Sequence, residues 1–126
     1  MDNNKPKMQE LTKVELEIMQ IIWKLDGEFI IRDVHDNMPE PKPAYNTVST
    51  MVRILDSKGF LTHKTYGHTN VYMAAVTKDE YTGRFMQGVL NSFFGGSVSR
   101  LVTFFSDNKN LSVKEADEII NMLNKK

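Results

Sequence analysis

Three prolines within five residues, Pro39, Pro41 and Pro43, set the first limit on any fold of this chain. Proline has no N–H to donate, and its ring clashes with the preceding turn, so no helix can run through this segment. The helices on either side must be separate and short. On the N-terminal side, Leu11-Thr12-Lys13-Val14-Glu15-Leu16 carries a helix start with a mechanism. The Thr12 hydroxyl can accept from the Glu15 amide, the Glu15 carboxylate can reach back to the Thr12 amide, and Leu11 and Leu16 flank the box as a hydrophobic staple. Ile18, Met19, Ile22, Trp23 and Leu25 continue at helical spacing to a stop at Asp26-Gly27. A second helix is predicted over Ile31 to Asn37, with Ile31, Val34 and Met38 on one side.

Beyond the prolines, Ala44 to Ser57 places Tyr45, Val48, Val52 and Leu55 in one stripe. That spacing predicts a third helix with the stripe buried, closed by Lys58-Gly59. Phe60 to Tyr66 and Asn70 to Ala74 are short, alternating and rich in β-branched and aromatic residues, with Gly67-His68-Thr69 between them as a turn. They read as a hairpin. Thr77-Lys78-Asp79-Glu80 opens a further helix holding Tyr81, Phe85, Met86, Val89, Leu90 and Phe93, and Gly95-Gly96 interrupts it. Ser97 to Ser106 is a short apolar helix, and Ser112-Val113-Lys114-Glu115 caps a last one through Ala116, Ile119, Ile120 and Leu123. The expected fold is mainly α: a winged helix-turn-helix (three helices plus a hairpin wing) over residues 1–76, then a helical dimerisation region over 77–126.

Chemistry that needs particular residues is excluded early. The absence of cysteine removes disulfides, thiolate metal sites and a Cys nucleophile. His35, His63 and His68 are irregularly spaced, two of them in the hairpin, so no metal site is expected and no cofactor is assigned. Gly95-Gly96 lacks the Lys-Ser/Thr of a phosphate loop, and there is no nucleophile elbow or HExxH, so an enzyme is not expected. Asp33 and Asp36 have the spacing of a solvated helix surface. No apolar run approaches the ~20 residues of a membrane span, and the first residues lack a secretory h-region, which points to a cytoplasmic protein.

Net charge is zero and gives no argument for nucleic acid by itself. Its distribution is more useful. Residues 10–40 carry eight acids against Lys13, Lys24 and Arg32, whereas 42–70 carry Lys42, Arg53, Lys58 and Lys64 against Asp56 alone. Opposite the apolar stripe of the third helix lie Asn46, Thr47, Ser49, Thr50 and Arg53, short hydrogen-bonding side chains plus one guanidinium. Such a mix suits phosphate and base-edge contacts, and a merely solvated face usually carries more Glu and Lys. With Lys42 and Tyr45 at the start of that helix, and Lys64 and His68 at the hairpin tip, these residues form the candidate DNA surface. Two alternatives stay open: a winged helix that docks a protein partner, and a repressor responding to a small molecule, for which no pocket is marked.

The C-terminal helices are too apolar for a 50-residue appendage to bury by itself. Phe85, Val89, Phe93, Leu101, Val102, Phe104, Phe105, Ile119, Ile120 and Leu123 are the candidate dimer contacts, each contributing roughly 1.5–3 kcal/mol if covered. A two-fold dimer would match a palindromic operator. The other possibility is that this segment completes the N-terminal core.

The segments LTKVELEIMQIIW, IIRDVHDNMPEPKPAYNTVSTMVRILDSKGFL, YGHTNVYMAAVTKDEY and GGSVSRLVTFFSDNKNLSVKEADEIINML together resemble the BlaI/MecI family of penicillinase and methicillin-resistance repressors. The resemblance implies a winged-helix repressor that dimerises through its C-terminal helices and occludes a promoter, with Tyr45, Asn46, Thr47, Ser49, Thr50 and Arg53 on or near the DNA-facing helix. It also implies release by cleavage, triggered by a membrane zinc metalloprotease that senses β-lactams. In that family the cut falls between Asn and Phe, and the corresponding bond here is Thr103-Phe104. His68 stands where many relatives carry Arg. The family's copper-responsive branch uses Cys-x-Cys motifs, which this chain lacks.

Overall fold

The Thr12–Glu15 pairing starts the first helix, α1 (Lys13–Leu25). The Glu15 amide donates to Thr12 Oγ1 at 3.2 Å, and the Thr12 amide donates to Glu15 Oε1 at 3.0 Å. The computed structural model describes residues 10–107 and 112–124, the last three of these as backbone alone. By contact density the chain divides into two units, Met1–Lys78 and Asp79–Lys126. In the first unit α1 ends where Asp26 turns left-handed at φ 52°. α2 (Ile31–Asp36) follows, with the Ile30 amide donating to Asp33 Oδ2 at 2.9 Å. It stops one residue short of the predicted end, because Asn37 leaves helical geometry and folds its Nδ2 back onto the Asp33 carbonyl at 2.8 Å.

α3 (Tyr45–Ser57) begins directly after the proline segment. The hairpin is β1 (Leu61–Tyr66) and β2 (Thr69–Ala74), in register from Leu61 opposite Ala74 to Tyr66 opposite Thr69. Thr69, expected in the turn, is therefore a strand residue. The turn is Gly67-His68 alone, with a positive φ only at Gly67 (63°). A primed turn with glycine first matches the natural twist of a two-stranded ribbon, which is why so short a loop closes it.

A pairing that the sequence did not suggest anchors the base of this ribbon. Phe29 and Tyr72 exchange backbone hydrogen bonds of 2.9 and 2.8 Å, and their rings stack at 5.9 Å. Ile18, Met19 and Ile22 of α1, Val34 of α2, Val48, Val52 and Leu55 of α3, and Phe60, Leu61 and Tyr72 of the hairpin are all buried. Their burial is the main force holding this unit together. The Trp23 indole adds a donor to the Val76 carbonyl at 2.9 Å, tying the strand exit to α1.

The second unit consists of α4 (Lys78–Phe94), α5 (Val98–Asp107) and α6 (Val113–Asn124). Gly95 and Gly96 separate α4 from α5 with positive φ of 58° and 80°, and the Gly96 amide closes α4 onto the Leu90 carbonyl at 2.9 Å. Ser97 Oγ caps α5 through the Arg100 amide at 3.1 Å. The Ser112–Glu115 box caps α6 at 3.1 and 3.2 Å. Among the described residues, Tyr81, Leu90, Leu101 and Ala116 are the buried ones of this unit.

Candidate nucleic-acid interface

α3 has two faces. Val48, Val52 and Leu55 are buried, while Asn46, Thr47, Thr50 and Arg53 are exposed on the opposite side. Tyr45 was expected in the buried stripe, yet it is 45% exposed. It sits at the first helical position, where the packing partners of later turns no longer cover it. Its ring meets the edge of His35 at 5.6 Å, and His35 Nε2 lies 3.0 Å from the Pro43 carbonyl, so α2, the proline segment and the start of α3 are fastened together.

Ser49 was expected on the exposed face and is only 6% exposed. It lies toward the buried side of the helix, where its hydroxyl accepts a 3.0 Å hydrogen bond from Arg53 Nη2. Ser49 therefore orients the guanidinium and does not present itself to a partner. Lys42 is exposed, with its ammonium donating to the Asp36 carbonyl at 2.9 Å. Lys64 and His68 are exposed on the hairpin. Lys58, part of the sequence's local positive balance, is spent elsewhere: its Nζ sits 2.7 Å from Glu15 Oε2. Asp56 pairs with His63 Nδ1 at 2.9 Å, bracing the hairpin against α3.

The N-terminus of α3 differs from those of its neighbours. At the starts of α1 and α2 the first-turn carboxylates of Glu15 and Asp33 accept from the backbone amides of Thr12 and Ile30. α3 begins at Ala44, which has no side-chain acceptor, and no acid lies in its first turn. Among the described residues nothing accepts from the amides of Tyr45 and Asn46. Unpaired N–H groups and the positive end of the helix dipole make such a terminus hospitable to an anion.

Of the residues expected at a dimer contact, Phe93 (77%), Phe104 (53%) and Phe85 are exposed, and Val89, Val102, Phe105, Ile119 and Ile120 are half-buried. Leu101 is 1% exposed within the single chain, so it is core and not available surface. Leu123 lies outside the residues whose side chains are described. Phe104 packs edge-on against Phe94 and Phe105 at 5.7 and 5.4 Å. Thr103, on the N-terminal side of the bond singled out for cleavage, is exposed on α5. Among the described residues no cluster of His, Asp or Glu has the geometry to hold a metal ion, and no helix is long and apolar enough to cross a membrane.

A family model described as "Penicillinase repressor" matches residues 11–125. The penicillinase repressor of Bacillus licheniformis is 29% identical over 121 residues, covering 93% of this chain and 91% of that protein. The methicillin resistance regulatory protein MecI of Staphylococcus aureus (strain N315) is 27% identical over 126 residues, the whole length of both. Among solved structures, that of the DNA binding domain of the repressor BlaI matches with a TM-score of 0.51 and 28% identity, covering 60% of this chain and 92% of that one.

Proposed function

The chain belongs to the penicillinase repressor family, and from that premise we propose that it is a DNA-binding transcriptional repressor whose α3 enters the major groove of a palindromic operator. The observation that carries this reading is the division of α3: one side locked into the core, the other offering Asn46, Thr47, Thr50 and Arg53 beyond an uncapped, acid-free start. Short polar side chains read base edges, and the open amides and the hairpin position the helix on phosphates. Residues 1–76 form the DNA-binding part. Residues 77–126 bring two copies together through the exposed aromatic surface of Phe85, Phe93 and Phe104, with Val89, Val102, Phe105, Ile119 and Ile120 around it. Two-fold symmetry then sets two α3 helices on half-sites about 34 Å or a multiple apart.

Induction by proteolysis belongs to the same proposal. A membrane metalloprotease sensor would trigger a cut at Thr103-Phe104. That bond lies within α5, and proteases act on extended chain, so the cut requires α5 to open locally.

The test is anisotropy binding of the purified protein to DNA from upstream of its own gene, titrated against sodium chloride and random competitor. Tight binding that resists competitor and falls steeply with salt is the expected result. Absence of specific binding at low salt would overturn the reading in favour of a protein-docking module.

A further inference from the structure

Two clefts flank α3, and their charges are opposite. One, between α1, the proline segment and α3, has Glu17 and Glu40 in its lining and no Lys or Arg. The other, about 510 Å³, opens between α2, α3 and the hairpin turn, and is lined by Arg32, Arg53, His68, Tyr45 and Asn70 with no carboxylate at all. Arg53 is oriented from below by Ser49. Arg32 is exposed and has no hydrogen-bond or ion-pair partner among the described residues. It comes from the most acidic stretch of the chain, residues 10–40, where a sequence reading counts it as neutralised. The nearby Asp33 is committed to the Ile30 amide, and the fold turns Arg32 into the cleft.

We infer that this cleft is a seat for a single phosphodiester of the bound DNA strand, and that Arg32 is a phosphate-contacting residue of the interface. The inference rests on the DNA-binding reading above. When a recognition helix lies in the major groove and the wing rests on the flanking backbone, one sugar–phosphate strand must run between them. Here that gap is the cleft. Two guanidiniums from separate elements facing one space repel each other unless an anion lies between them, and their planar donor forks suit phosphate oxygens. The Tyr45 hydroxyl, the Asn70 amide and the His68 ring at the turn are further polar groups that can meet phosphate or sugar. A phosphate contact positions the protein and carries no base preference, so Arg32 adds affinity without specificity.

The experiment compares wild type, Arg32→Gln and Arg32→Lys by anisotropy on two labelled duplexes of equal length, one from upstream of the gene and one of random sequence, over a series of sodium chloride concentrations. Arg32→Gln is expected to weaken both duplexes by the same factor, about tenfold, and to lower the log–log salt slope by about one. Arg32→Lys, keeping the charge without the fork, is expected to restore the slope and part of the affinity. Circular dichroism melting of the variants confirms equal folding, and recovery by lysine distinguishes lost charge from lost structure. An unchanged affinity and slope in Arg32→Gln, with wild type binding normally, overturns the inference and leaves the repressor reading intact. A loss confined to the upstream duplex also overturns it, since Arg32 would then read bases. Wild type that binds neither duplex removes the repressor reading itself.

Discussion

Glu15 is 2% exposed and still holds a charge, a situation that needs specific compensation. Burial pushes its pKa up. The Lys58 hydrogen bond and charge, with the Thr12 amide and hydroxyl, outweigh that and leave the carboxyl below its ordinary value. The carboxylate joins the start of α1 to the residue that ends α3, so the pair clamps these two helices together. A lowered folded-state pKa means the stabilisation is fully present above the ordinary glutamate value of about 4.3 and disappears as pH falls through the lower folded value. Glu15→Gln can keep the capping geometry but loses the charge. It should cost about 1–3 kcal/mol at pH 7, because Lys58 is left facing a neutral group, and progressively less as pH falls through the lowered folded-state value. Urea unfolding over a series of pH values from 7 downward reads this directly, and a loss that does not change with pH would show that the ion pair contributes nothing.

At the scale of one element, the proposed function gives α3 two tasks that mutation can separate. Leu55→Ala removes buried methyl groups and should destabilise the protein by about 2–5 kcal/mol in chemical denaturation. Thr47→Ala touches only the outer face, and Arg53→Ala removes in addition one hydrogen bond to Ser49, so they should shift the melting curve little and weaken binding to upstream DNA, by about 1–3 kcal/mol for Arg53. Unaltered affinity in both outer-face variants would remove this helix from the interface. The helix, its boundaries and its buried Val48, Val52 and Leu55 were legible from spacing and from the proline break. Tyr45 and Ser49 were not, for a geometric reason. Periodicity assigns a side of the helix but not which neighbours reach each end of it. Tyr45 lies beyond the covering elements, and Ser49 lies at the edge of the stripe where the core still covers it. The Phe29–Tyr72 pairing escaped because it joins residues 43 positions apart with no alternating run at Phe29. Arg32 was hidden by its acidic neighbours, since a charge count along the chain does not see which side chains a fold sends to the same cleft.

For the whole molecule, the second unit carries aromatic surface that water does not favour, with Phe93 and Phe104 the most open of its phenylalanines. Phe104→Asp should convert the proposed dimer to monomers in sedimentation velocity while leaving helix content intact, because the side chain is half outside the fold already. A persistent dimer would place the contact elsewhere on the chain. The unfinished start of α3 also has a consequence for the life of the molecule. A helix usually receives about 1 kcal/mol from its cap, and α3 forgoes it. Under the proposed function, DNA supplies the missing acceptors, so folding and occupancy are linked and a bound copy is the more durable one. Copies in excess of their binding sites are then the first to open and be cleared, which trims the free pool toward the number of sites it serves.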